Sequence, residues 1–155
     1  MDYPLAKEGS VIEDFHGTKV ADPFRWLEDP DSEETIQWVN AQNKLSDNFI
    51  KEISKREEIK EKITSLWNFE KRSVPYQVNQ KYFFVKNDGL QNQATVYVQD
   101  TLDSEPRVLL DPNLLSEDGT TALSGWDISN NDKYFAYALS KKGSDWQEIR
   151  IKEID

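Results

Sequence analysis

The 155-residue chain has no cysteine and a single histidine. The first absence excludes a disulfide framework, a thiolate zinc site and a cysteine nucleophile. The second leaves only His16, in the segment Asp14-Phe15-His16-Gly17, for the proton-shuttle role that a serine triad requires. A histidine just ahead of a glycine reads first as a loop residue bonded to backbone. The strand-to-helix elbow Gly-x-Ser-x-Gly is also missing, because Gly9-Ser10 and Gly143-Ser144 lack the second glycine. There is no Gly-x-Gly-x-x-Gly and no Walker loop. One histidine without cysteine leaves little to hold a transition metal. The carboxylate-dense run Glu28 to Glu34 is interrupted by Pro30 and lacks the glycine of an EF-hand loop. Its acids suit a helix N-terminus, where negative charge is favourable. No catalytic residue, metal or cofactor is therefore expected within this span. Paired carboxylates of the glycosidase kind stay open, since 29 acids cannot be sorted into pairs by their order alone.

Basic charge is also scarce: 19 Lys and Arg against 29 Asp and Glu give a net charge of −10. That average field repels a phosphate backbone, so nucleic acid is not an expected partner. No run approaches the roughly 18 apolar residues of a membrane span. The start, Met1 to Ser10, lacks the basic and apolar regions of a signal peptide. A soluble, cytoplasmic protein is the expectation.

What is present is a core-forming composition, 37% apolar and 12% aromatic, organised in two parts. Up to Arg72 the signals are extended and then helical. Tyr3 to Pro30 reads as extended chain punctuated by Pro4, Gly17, Pro23 and Pro30. Asp31 with Glu34 marks a helix start. Ile36, Val39, Asn43, Ile50 and Ile53 then line one face, widened by Trp38, Ala41, Leu45 and Phe49. Ser54 with Glu57 marks a second start, and Ile59, Ile63, Leu66 and Trp67 keep helical spacing.

Beyond Arg72 the period becomes two. Strands are expected at Ser73–Gln77, Lys81–Asn87, Ala94–Gln99 and Arg107–Leu110, then at Ala122–Ser129, Lys133–Ser140 and Glu148–Ile154. Turn residues stand at Asn79-Gln80, Asn87-Asp88-Gly89, Asn130-Asn131-Asp132 and Lys142-Gly143. The Lys-Tyr-Phe starts at Lys81 and Lys133 lie 52 residues apart, each followed by strand, glycine turn and strand. A period near 50 with about four short strands suits a propeller blade, although two unrelated meanders sharing Lys-Tyr-Phe would read alike. On this reading there is one full blade and a second that stops after three strands, so the chain looks incomplete and ends on an open edge. Trp126 and Trp146 read as blade-packing residues.

Several motifs carry a resemblance. Asp14-Phe15-His16-Gly17, Val20 and the run Asp22 to Glu33 are similar to the N-terminal signature of the prolyl oligopeptidase family. So are Ala41-Gln42-Asn43, Thr64 to Trp67, Gly89-Leu90-Gln91-Asn92-Gln93, Tyr97 to Asp100, Leu110 to Asn113, Asp118-Gly119-Thr120 and Gly143 to Trp146. The resemblance runs from about Tyr3 to the end. It implies a serine endopeptidase that cuts short peptides after proline, with an α/β-hydrolase domain joined to a seven-bladed β-propeller that restricts access. It places the catalytic residues beyond this sequence. The implied fold is mixed α and β: residues 1–72 form an extended and helical segment that packs on an absent hydrolase domain, and 73–155 form the first one and a half to two blades. His16, Phe24, Trp26, Leu27 and Trp38 are then candidates for docking on the hydrolase domain, and Asp145 for a polar contact at the domain boundary. The implied partners are the missing C-terminal part or another chain, with short proline-containing peptides bound by the full protein. A stand-alone binding module, capturing a partner on its open edge, is the alternative.

Overall fold

In the computed structural model, which describes residues 3–155, the first helix starts one residue later than the acid spacing predicts. Helix α1 spans Glu33–Lys51, and its N-cap is Ser32, whose Oγ accepts from Thr35 N at 3.3 Å. Asp31 instead belongs to the preceding turn, its backbone N–H donating to Asp29 Oδ1. The second helix, α2, spans Arg56–Trp67. Its first bond runs from Ile59 N to Lys55 O, so Lys55 and not Ser54 holds the N-cap position.

The chain forms two compact units, one up to Lys60 and one from Glu61 onward, so that α2 crosses the division. In the first unit the stretch expected to be merely extended contains a hairpin. Strands β1 (Ile12–Phe15) and β2 (Thr18–Ala21) pair antiparallel with Phe15 opposite Thr18. The two-residue turn between them places His16 at φ 55° and Gly17 at φ 91°. That double left-handed geometry matches the twist of the flanking strands. Asp14 Oδ1 fixes the turn by accepting from Gly17 N at 2.6 Å. Among the described residues His16 makes no side-chain hydrogen bond, so the expected backbone tether of the imidazole is replaced by the carboxylate of Asp14. Beyond Pro23 a 3₁₀ turn, Arg25–Glu28, leads to α1.

The second unit is built from two antiparallel meanders. In the first sheet β3 (Lys71–Arg72) and β4 (Tyr76–Val78) both pair with β5 (Lys81–Asn87), followed by β6 (Thr95–Gln99) and β7 (Arg107–Leu110). The single strand expected over Ser73–Gln77 is broken because Pro75 lacks an N–H. Ser73 bridges the gap, its Oγ accepting from Val85 N at 3.0 Å. The second sheet has the order β10-β9-β8, with β8 at Thr121–Ile128, β9 at Tyr134–Lys141 and β10 at Gln147–Glu153.

The two hairpins are equivalent in architecture and keep the phase that their shared letters imply, although their strands open at different letters. Lys81 opens β5, whereas Tyr134 rather than Lys133 opens β9. Neighbouring strand residues point to opposite faces, so a slip of one would exchange core for solvent, and the pairing keeps the third letter of each string on the core side. Phe83 and Phe135, matched letter for letter, therefore meet in one core between the sheets. There they join Val96, Val98, Leu109, Ile128 and Ile154. Full burial of each such side chain contributes about 1.5–3 kcal/mol. At the rim, Lys152 Nζ donates to Leu109 O and the Arg107 guanidinium to Ile154 O, tying β10 and its end to the first sheet.

The faces turned away from this core differ. On the first sheet Phe84 stacks on Tyr97 at 5.4 Å and lies under the Arg72 guanidinium at 3.8 Å, which leaves its ring buried. On the second sheet Ile149 and Ile151 remain 73% and 68% exposed beside Ala136 and Ala138.

Candidate functional site

The aromatic residues singled out before α1 are positioned by the 3₁₀ turn and the helix that follows. Trp26 meets Trp38 edge to face with ring centroids 6.4 Å apart. The Trp26 indole donates to Lys7 O at 2.8 Å, and its own carbonyl accepts from Thr35 Oγ1 at 3.0 Å. The Trp38 Nε1–H is buried without a partner among the described residues. Both indoles thus use much of their surface inside the unit. Phe24 is exposed and Leu27 is half-buried on the same turn, while His16 sits apart at the hairpin tip. The structure brings Trp26 and Trp38 together and leaves His16 separate. Asp145 lies in the other unit, exposed in the turn between β9 and β10.

The helical faces carry a second finding. The covered stripe of α1 runs through Thr35, Trp38, Gln42 and Leu45. Gln42 helps to hold it by donating to Pro4 O at 3.0 Å. Ile36, Val39, Ile50 and Ile53, the stripe read from the periodicity, are exposed. Ile59, Ile63, Leu66 and Trp67 of α2 are exposed as well. Amphipathic patterning normally marks the face turned to a core. In this chain that pattern points outward on each of the two helices.

Arg25 is the electrostatic centre of the first unit. Its guanidinium meets Glu13 and Asp22 at 2.6 Å each and Glu28 at 3.6 Å. Hydrogen bonds to Glu13 and then Asp22 push its pKa up, so it remains a cation throughout the accessible range. Sequence reading passed over this arginine, because its acidic partners are spread from Glu13 to Glu28 and converge only through the hairpin and the 3₁₀ turn. In the second unit, the hydrogen bond from Lys81 followed by the charges of Lys81 and Arg107 hold the Asp155 carboxyl below the usual carboxylate range.

Trp126 packs on Phe135 at 5.9 Å as expected of a blade residue. Trp146 does not: it is 89% exposed, because it lies in the turn where its backbone N–H donates to Ser144 Oγ. Among the described residues no group of His, Asp and Glu is arranged to hold a metal ion, and no helix is long and apolar enough to cross a membrane.

Comparison with known proteins is consistent in extent and kind. The family model described as "Prolyl oligopeptidase, N-terminal beta-propeller domain" matches residues 3–155. The prolyl endopeptidase of Elizabethkingia meningoseptica is 37% identical over the whole of this chain, and that of Dictyostelium discoideum is 33% identical over 99% of it. Those matches span 22% and 23% of the relatives' own lengths. A solved prolyl endopeptidase structure superimposes over 99% of the chain with a TM-score of 0.78 at 30% identity. Prolyl oligopeptidase B from Galerina marginata, bound to a 35mer hydrolysis and macrocyclization substrate, follows at a TM-score of 0.70 and 27% identity. In both structures the matched part is 23% of that chain. With its helices, its two meanders and this continuous match, the chain belongs to the prolyl oligopeptidase family and corresponds to the N-terminal part of its members.

Proposed function

We propose that this chain is the N-terminal part of a serine endopeptidase that hydrolyses short peptides after proline, and that it is inactive alone. One observation carries the reading. The match is unbroken over the chain yet spans 22% of the Elizabethkingia meningoseptica relative, and the span lacks both a nucleophile elbow and a metal cluster among its described residues. In this reading residues 1–72 belong to the peptidase domain, and 73–155 begin a propeller that gates substrate access. The exposed stripes of α1 and α2, with Phe24, Trp26, Leu27, Trp38 and His16, dock on the hydrolase domain. Asp145 makes a polar contact at the domain boundary. The protein works in the cytoplasm without a cofactor.

The test is a fluorogenic succinyl-Gly-Pro amide. The purified chain is expected to leave it intact, and mixing with a polypeptide equivalent to the remainder of the relatives is expected to restore turnover. Hydrolysis by the chain alone, blocked by a serine-directed inhibitor, overturns the proposal.

A second reading, a stand-alone binding module, is favoured by the apolar depression of about 550 Å³ on the outer face of the second sheet, which includes Tyr134, Ala136 and Ile151. It differs in what it requires: a compact, monomeric and cooperatively melting chain that binds without any added peptidase part.

A further inference from the structure

The run Gly89-Leu90-Gln91-Asn92-Gln93 plays no part in the docking surfaces above, yet it meets both the segment that leaves α2 and strand β8. It lies in the connection from β5 to β6. At its start, Gly89 O accepts from Lys71 Nζ at 3.0 Å, and the same ammonium donates to Trp67 O at the end of α2 at 2.8 Å. The Lys71 charge also sits 5.0 Å from the Trp67 ring and 4.6 Å from that of Phe69, within reach of cation–π attraction. Gly89 adopts φ +138°, and a Cβ there would stand 2.3 Å from Asn68 Oδ1 and 3.3 Å from Phe69 N. The segment leaving α2 is therefore pressed directly onto this loop.

The loop is stiff in the middle. Asn87 Nδ2 donates to Gln91 O, Asp88 N to Gln91 Oε1, and Gly89 N to Asn87 Oδ1, each between 2.9 and 3.0 Å.

At its end Gln93 reaches the second sheet. Its Nε2 donates to Thr121 O at 2.7 Å, and its Oε1 accepts from Leu123 N at 2.8 Å. One side-chain amide thus pairs with the carbonyl of one β8 residue and the N–H of the next but one, as a ladder residue of a neighbouring strand would. The Gln93 backbone is itself clamped by Asn113, whose Oδ1 accepts from Gln93 N and whose Nδ2 donates to Gln93 O, both at 3.0 Å. Joined through the backbone of Asn92, these two sets of contacts link the end of α2 to the edge of β8.

We propose that the loop from Asn87 to Gln93 is a coupling joint: loosening the Lys71 latch at the end of α2 loosens the pairing of Gln93 with β8, and the reverse. Rigid hydrogen-bonded segments transmit displacement in this way only if both ends share one equilibrium, and such coupling is reciprocal.

The experiment is amide hydrogen exchange on the chain, comparing Lys71→Met, Gln93→Ala and the control Lys62→Met. Each rate is divided by that of the central amides of β5 and β6. In Lys71→Met the normalised exchange of the Leu123 amide is expected to rise about tenfold, although residue 71 does not touch Leu123. In Gln93→Ala the Gly89 and Asn68 amides are expected to speed up likewise, and Lys62→Met is expected to change neither. Lys71→Arg, which keeps the cation, is expected to retain most of the Leu123 protection. If Lys71→Met speeds only the amides around residues 67–71, or speeds all strands alike so that the ratio stays at one, the joint does not couple and the proposal is overturned.

Discussion

Phe135 shows how much one side chain does in a unit made of two thin sheets. It is fully buried and stacks on Tyr137 at 5.3 Å while packing with Trp126. Phe135→Ala is expected to destabilise the second unit by about 3–5 kcal/mol, read as a lowered urea midpoint, because both the transfer and the cavity terms fall at the centre of the core. Asp155 supplies a pH dependence. Its pKa is lowered in the folded chain by Lys81 first and Arg107 after it. A depressed carboxyl pKa adds stability above the unfolded value, near 4, and that stability is lost as pH falls through the lower folded value. Asp155→Asn is therefore expected to flatten part of the acid limb of a stability-versus-pH curve and to leave its shape above pH 5 unchanged. At this scale the sequence was least transparent. Helix N-caps fell one residue from their expected places. Trp146 is chemically indistinguishable from Trp126, and only the turn that holds it sends it to solvent.

Among the elements, α1 rests on a cap that can be measured. Ser32 Oγ accepts from Thr35 N and donates to Asp29 O at 3.0 Å, so it closes the helix and the turn before it. Ser32→Ala is expected to cost about 1 kcal/mol in thermal or chemical unfolding of the first unit. The strands were the most legible part of the chain. Lys81–Asn87 and Arg107–Leu110 appear with the limits that alternation gives, the strand expected at Ser73–Gln77 is broken at Pro75, and the others lie within one residue of theirs. The hairpin at residues 12–21 was hidden because it is short and both its strands are largely exposed, so that period-two alternation never develops. The phase of the repeat, by contrast, was legible. Phe83 and Phe135, the third letter of each Lys-Tyr-Phe, both fall in the core although β9 opens one letter later than β5. The docking candidates were visible as aromatic surface beside prolines, but the share that Trp26 and Trp38 spend on each other depends on a contact across the turn into α1.

At the scale of the molecule the notable quantity is apolar surface turned outward. It lies on three elements, α1, α2 and the second sheet, and each bears it on one face. Replacing Ile149 and Ile151 together by Lys is expected to leave the far-ultraviolet circular dichroism of the chain nearly unchanged, since both side chains are exposed. The same change is expected to reduce its concentration-dependent association in analytical ultracentrifugation. Among the described residues strand β10 pairs only with β9, so it combines this surface with an open backbone edge. Arg150 separates Ile149 from Ile151, and Glu148 and Lys152 flank the pair, with Arg150 Nε held to Glu148 at 2.7 Å. If identical copies stacked in register, Arg150 would fall on Arg150 and Lys152 on Lys152 at the ~4.8 Å spacing of a fibril, where each like pair is repelled by roughly 1 kcal/mol in water. The strand is thus adhesive toward a different neighbour and hostile to its own image, so crowded solutions of the chain should yield soluble oligomers and no thioflavin-positive amyloid.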